Sequence, residues 1–300
     1  MLKIAYSPVY KYELPEGHRF PMEKYELVPE QLLYEGTITP ANFFHPEQLA
    51  EEDILLTHTR EYWDKLKTNA LSRKEIRKIG FPVRPSLIDR GRFIAKGTID
   101  CVSYARKYGV AMNIAGGTHH AFAGSGEGFC IFNDFAIAAN YFLHRGEIGQ
   151  FLIVDLDVHQ GNGTASIFKN EPRVFTFSMH GAKNYPVRKE NSDLDIGVED
   201  GINDEAYLKI LKEVLPDLID QINPDVILYL SGVDVLKTDK LGRLGMTKEG
   251  CKERDRFVLE NCKQREIPVA ISMGGGYSER IADIVDAHAN TFRVAQEIFF

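Results

Sequence analysis

Phe151-Leu-Ile-Val-Asp155-Leu-Asp157-Val-His159-Gln-Gly-Asn162-Gly163 runs from an apolar stretch straight into carboxylates, an imidazole and glycines. A buried strand that ends abruptly in polar residues suits a parallel sheet, whose ligands bind beyond the carboxyl ends of the strands. Comparable apolar runs occur at Leu2 to Tyr6, Val110 to Ile114, Val174 to Phe177, Val226 to Leu230 and Val269 to Met273. Between them, apolar residues recur at i, i+3, i+4 over Phe93 to Tyr108, Phe135 to His144, Tyr207 to Ile222, Cys251 to Cys262 and Ile281 to Ile298, which predicts helices. The alternation predicts an α/β fold: one doubly wound, mostly parallel sheet flanked by helices, with residues 1–300 as a single domain. Two stretches break the rhythm. Glu13 to Pro85 reads as loops and short helices over one end of the sheet, and polar Lys183 to Glu205 as a second excursion.

Composition narrows the function. The 300 residues carry 36 Lys and Arg against 43 Asp and Glu, a net charge of −7, so affinity for nucleic acid or an anionic membrane is not implied. No run approaches the roughly 20 apolar residues of a membrane span, and the first residues are too short for a signal-peptide core, which predicts a cytoplasmic protein. The 4 cysteines form no C-x-x-C pair, so any metal must use His and carboxylates.

Four strand ends carry chemistry. Besides the 155–163 run these are Gly116-Gly-Thr-His119-His120, Ser231-Gly-Val-Asp234 and Gly274-Gly-Gly-Tyr277. If the extended conformation persists past the strand, Asp155, Asp157 and His159 share one face. Asp157 and His159 can then chelate one divalent ion, with Asp234 as third ligand and a position left open for water or substrate, as in catalytic zinc sites. An isolated Asp-x-His would more simply end a strand in a turn; the coincidence of four such ends favours a site. Fe²⁺, Co²⁺ or Mn²⁺ compete with Zn²⁺ for so hard a donor set. The adjacent His119 and His120 suit general base and general acid work, with Asp155 left to orient one imidazole and Asn162 the other. An ionised Asp partner favours imidazolium, whereas a neutral Asn fixes geometry alone. Tyr277, presented by three glycines, is either a buried structural tyrosine or a hydroxyl aimed at a carbonyl oxygen.

Together these motifs, with Gly128-Phe-Cys-Ile-Phe-Asn-Asp134, His18-Arg-Phe-Pro-Met22 and His58-Thr-Arg-Glu-Tyr62, resemble the zinc-dependent histone deacetylase family and its arginase-deacetylase fold, most closely the class IV branch and bacterial relatives. The resemblance implies Asp157, His159 and Asp234 as metal ligands, His119 and His120 as the catalytic pair, contacted by Asp155 and Asn162 respectively, and Tyr277 as the carbonyl-polarising hydroxyl. It implies a monovalent cation, K⁺, near Asp155, Asp157, Ser178 and the carbonyls of His159 and Met179. Phe129 and Tyr185 would wall a narrow channel for an acyl-lysine stem. The chain departs from the class I pattern at Asn162, an Asp there, at Gln160, which replaces a second His, and at Gly80-Phe-Pro-Val-Arg-Pro85, which lacks the Asp that holds substrate backbone.

The expected function is a metal-dependent amidohydrolase that removes an acetyl or longer acyl group from a lysine side chain. Its rivals are a deacetylase of acetylpolyamines or other small acyl-amines, and a non-catalytic acyl-lysine binding module. An arginase-like two-metal site would need bridging carboxylates that the sequence lacks. Eight basic residues between Arg73 and Lys96 read either as a solvated helix face or as part of the cavity mouth.

Overall fold

The computed structural model describes residues 1–300. Eight strands form one sheet: β1 Lys3–Ala5, β2 Phe43–Phe44, β3 Val110–Asn113, β4 Phe151–Asp155, β5 Val174–Gly181, β6 Leu194–Val198, β7 Val226–Leu230 and β8 Val269–Ser272. Their order is β2-β1-β3-β8-β7-β4-β5-β6, and every pairing is parallel. Strands β3, β4, β7 and β8 are buried along their whole length, as parallel strands covered on both faces must be.

Ten α-helices connect and flank the sheet: α1 Lys24–Tyr34, α2 Glu51–Ile54, α3 Arg60–Lys67, α4 Arg73–Ile79, α5 Pro85–Tyr108, α6 Asp134–Arg145, α7 Asn162–Phe168, α8 Asp204–Ile222, α9 Lys248–Gln264 and α10 Ile281–Phe299. They pack in two groups: α5 on α6 and α6 on α7, then α9 on α8 and α10 with α1 on α10. Helix starts follow local chemistry. Asn133, Asn203 and Thr247 accept hydrogen bonds from the backbone N–H groups three residues on and so start α6, α8 and α9. Helix α5 opens on Pro85 and stops at Gly109, whose φ of +88° a side chain would strain. A contiguous core of 83 buried residues joins the sheet to both helix groups. No helix is long and apolar enough to cross a membrane.

The two stretches read as excursions each hold an edge strand. β2, within 13–85, is two residues long, and β6, within 183–205, alternates half-buried and exposed residues around Gly197. Edge strands stay short or carry polar residues because their free side would otherwise recruit other chains; β2 is apolar but only two residues long, and β6 is interrupted by Asp195 and Gly197, so both give a weak sequence signal.

Candidate active site

The four chemistry-bearing ends belong to β3, β8, β7 and β4, four consecutive neighbours at the centre of the sheet. Their loops are in contact. Gly117, at φ +71°, lies so close to Gly274 that a Cβ there would come within 2.9 Å of the Gly274 Cα. Asp134, at the start of α6, holds the histidine loop: its carboxylate accepts from Thr118 N at 2.8 Å, Gly117 N at 3.2 Å and Thr98 Oγ1 at 2.7 Å.

The candidate metal ligands do not lie on the expected extended strand. β4 ends at Asp155, and Asp157 and His159 lie in the bends that follow. The cause is local: Asp155 Oδ1 accepts from Asp157 N at 3.1 Å, and Asp157 Oδ1 accepts from His159 N at 3.0 Å. Each carboxylate captures the N–H two residues on, replacing the ladder with turns. Asp155 therefore turns away to His119, while Asp157 and His159 meet Asp234. One donor atom from each of Asp157, His159 and Asp234 lies within 4.8 Å of the others, and all three residues are buried.

These residues fit a divalent ion. Asp234 Oδ2 is buried and receives no hydrogen bond, although His159 Nδ1 stands 3.2 Å away. The remaining carboxylate oxygens are committed to backbone: Val158 N donates to Asp234 Oδ1 at 3.0 Å and Gly275 N to Asp157 Oδ2 at 2.9 Å. Such an orphaned oxygen is costly unless a cation or proton satisfies it. Burial and the Asp157 carboxylate push Asp234 up to about 7. For His159 burial works downward, but Asp157 and Asp234 outweigh it and raise the imidazole to about 10.

The two histidines are set apart electrically. His119 Nδ1 lies 2.6 Å from Asp155 Oδ2, and its Nε2 lies 3.9 Å from Asp157 Oδ1. Burial alone would lower it; Asp155 and Asp157 together raise it to about 9. His120 Nδ1 instead meets Asn162 Oδ1 at 2.7 Å. Burial, then the charges on His119 and His159, hold it well below the usual histidine range, so it stays neutral. The rings lie 4.1 Å apart.

Tyr277 lines an inner and an outer cavity, which share His120, Gly128, Phe129, His159 and Tyr277. Burial and the nearby Asp234 and Asp157 hold its hydroxyl well above the usual phenol range, so it remains a donor. Phe129 and Tyr185 both line the outer cavity, and Tyr185 packs edge-on to His120 at 5.0 Å. Phe129 sits at the tip of a two-residue turn between Glu127 and Cys130, with φ of +54° at Gly128 and +68° at Phe129. A non-glycine residue held left-handed marks a constraint on where its ring points. Phe129 N donates to Ile79 O at 2.7 Å, and Gly80 lies against the ring so closely that a Cβ there would approach it to 2.9 Å.

Ser178 is the register partner of Asp155 and lies 2.9 Å from His180 Nδ1; Met179 is buried beside it. Of the basic stretch 73–96, none lines the outer cavity. Lys78 pairs with Glu127 at 2.5 Å, Arg84 with Glu13 at 3.8 Å, and Arg90 is buried with Nε on Tyr10 O at 2.7 Å. The cation at the mouth is Arg19, 5.0 Å over the Phe129 ring.

Sequence reading missed Asp239 and Glu127. Asp239 Oδ2 accepts from Tyr277 N at 2.6 Å while its Oδ1 accepts from Leu241 N and Gly242 N, each at 2.8 Å, so it fixes the loop that presents Tyr277. The turn pattern Thr238-Asp-Lys-Leu-Gly242 was its only signal. Glu127 Oε1 accepts from Asn162 Nδ2 at 3.4 Å, a tertiary pairing with no local signature.

Residues 18–292 match the family model described as the histone deacetylase domain. A Picosynechococcus protein described only as uncharacterized is 43% identical over 99% of both chains. Histone deacetylase 2 of Arabidopsis thaliana is 28% identical, covering 95% of this chain and 76% of that one. The acetoin utilization protein AcuC of Staphylococcus aureus is 27% identical over 89% of this chain and 74% of its own. Among solved structures, the HDA15 HD domain superposes with a TM-score of 0.82 at 20% identity, covering 98% of this chain and 90% of that one.

Proposed function

The chain belongs to the histone deacetylase family, and on that premise we propose that it is a zinc-dependent amidohydrolase that removes an acetyl or longer acyl group from a lysine side chain. The observation that carries this reading is the convergence of Asp157, His159 and Asp234 donor atoms within 4.8 Å, beside a cavity that Asp157 and His159 line together with His119, His120 and Tyr277. A divalent ion held by the three ligands supplies, when bound, Lewis acidity toward a carbonyl oxygen and toward water.

The chain's own groups do the rest. Phe129 and Tyr185 hold the aliphatic stem, excluding water from its sides. The Tyr277 hydroxyl donates to the amide carbonyl oxygen, a bond that strengthens as negative charge develops there. His120, neutral and held by Asn162, takes the proton of the attacking water at Nε2. His119, kept cationic by Asp155, stabilises the developing charge and gives its proton to the departing amine. Asp155, Asp157, Ser178 and the carbonyls of His159 and Met179 would hold K⁺ beside this machinery. Residues 1–300 act as one domain in this reading, and four buried free cysteines suit a reducing, cytoplasmic setting.

Arg19 favours acyl-lysine in a neutral or acidic context over acetylpolyamines, because it is the one Lys, Arg, Asp or Glu side chain lining the outer cavity and would repel a polycation. The test is a panel of acyl-lysine peptides and acetylated polyamines, of graded acyl length, with and without added Zn²⁺. Metal-dependent release of a carboxylic acid from the peptides is expected; binding without turnover of any acyl amine would leave a binding module instead.

A further inference from the structure

Asn162 can meet His120 in two ways, because an amide presents an acceptor on one side and donors on the other. With Oδ1 toward His120 Nδ1, as found at 2.7 Å, the neutral imidazole carries its proton on Nδ1 and keeps the Nε2 lone pair. Turned over, the amide would donate to Nδ1 and drive the proton to Nε2. The proposed proton transfer from water works only in the first arrangement, so something must prevent the turn.

Behind Asn162 stands Glu127. Its Oε1 accepts from Asn162 Nδ2 at 3.4 Å, and Tyr185 also donates its hydroxyl to that oxygen. Its Oε2 lies 2.5 Å from Lys78 Nζ. The side chain is buried, and all three partners are donors, so the carboxylate serves purely as an acceptor. It can therefore receive only the Nδ2 end of Asn162. Its own position is fixed by the two backbone hydrogen bonds with Cys130, both 2.9 Å, and by Gly128 N donating to Lys78 O at 3.0 Å.

We propose that Glu127 is a positioning residue that sets the tautomer of His120 through Asn162, and that the same carboxylate secures Tyr185 on the channel wall. The chain thus recovers a carboxylate behind the histidine, one side chain further out, where Asn162 itself supplies none. This deepens the reading of His120 as proton acceptor and rests on it.

The experiment uses the full-length, zinc-loaded protein with ¹⁵N-labelled histidine, reading the ring nitrogens of His120 after assignment with His120→Gln. The wild type should show Nδ1–H with unprotonated Nε2. Glu127→Ala should move the proton toward Nε2 and lower kcat about 10- to 100-fold, while KM rises separately as Tyr185 is released from the channel wall. Asp needs no orienting partner because both its oxygens accept, so adding Asn162→Asp to Glu127→Ala should restore Nδ1–H and regain at least about tenfold in kcat. A loop-holding role alone for Glu127 would not be rescued that way. A wild-type Nε2–H tautomer, which needs no variant to observe, overturns the proposal; so does an unchanged tautomer in Glu127→Ala, or a double variant without rescue. If the wild type hydrolyses no acyl amine, the functional reading fails, while the spectra still decide the role of Glu127.

Discussion

His119 and Asp155 meet at 2.6 Å, Nδ1 to Oδ2, while the adjacent His120 faces a neutral amide. Asp155 is a principal group raising His119 to about 9 against the burial that works to lower it. Replacing it by Asn removes that charge, so the His119 pKa falls. Asp155→Asn should lower kcat about 10- to 100-fold and move the alkaline limb of the kcat pH profile to lower pH. A variant profile superimposable on the wild type would remove His119 from the role of charged acid.

Metal affinity should depend on pH, since a cation must displace the protons that the ligand set now favours. With His159 raised to about 10 and Asp234 to about 7, a solution above pH 7 requires loss of about one proton per ion, and below pH 7 about two. The logarithm of apparent Zn²⁺ affinity should rise with slope near 1 above pH 7 and steepen below it. Competition titration with a chelator of known pH dependence measures this, and a flat profile would show that other groups hold the ion.

His58 makes a separate prediction about stability. It is buried, accepts from Asn133 N at 3.1 Å through Nε2, and is pushed down by burial to about 4. The depressed value means the unfolded chain binds a proton that the folded chain refuses. Its contribution is full above pH 6.5 and is lost as pH falls toward 4, a range worth about 3 kcal/mol. Urea unfolding at pH 7 and pH 4.5 should show a smaller loss on acidification for His58→Gln than for the wild type. Equal losses would mean that His58 takes up its proton in the fold as readily as in the unfolded chain.

Tyr277→Phe deletes one hydroxyl and keeps the ring between Phe20 and Phe129. Loss of an oxyanion donor typically costs about 10² to 10³ in kcat, whereas a ground-state hydrogen bond contributes on the order of 1 kcal/mol to binding. Turnover should collapse while affinity for an acyl-lysine ligand stays within roughly a factor of ten. Isothermal titration alongside steady-state kinetics separates the two, and near-normal kcat would make Tyr277 a packing residue.

The central strands and their polar ends were legible because burial on both faces leaves continuous apolar runs, and Asp155, Asp157, His119 and Asp234 follow such runs directly. The course of the chain after Asp155 was not legible. Whether a carboxylate stays free or captures the N–H two residues on depends on its surroundings, and here two successive captures end the strand. Glu127 and Asn162 are 35 residues apart, and their pairing depends on a turn whose φ values the sequence shows only through Gly128. β2, a bare Phe43-Phe44, is too short to show as a run, and β6 lacks the apolar continuity that made the interior strands readable.

The most direct test is metal-titrated hydrolysis. Protein stripped by chelator is reloaded with Zn²⁺ while carboxylic acid release from an acetyl-lysine peptide is followed, for the wild type and for Asp234→Ala. The account predicts that wild-type activity rises linearly to one ion per chain and stops, and that Asp234→Ala neither retains the ion at micromolar protein nor turns over. Full metal content with normal turnover in Asp234→Ala, or a wild type saturated with Zn²⁺ that releases no acid, would contradict it.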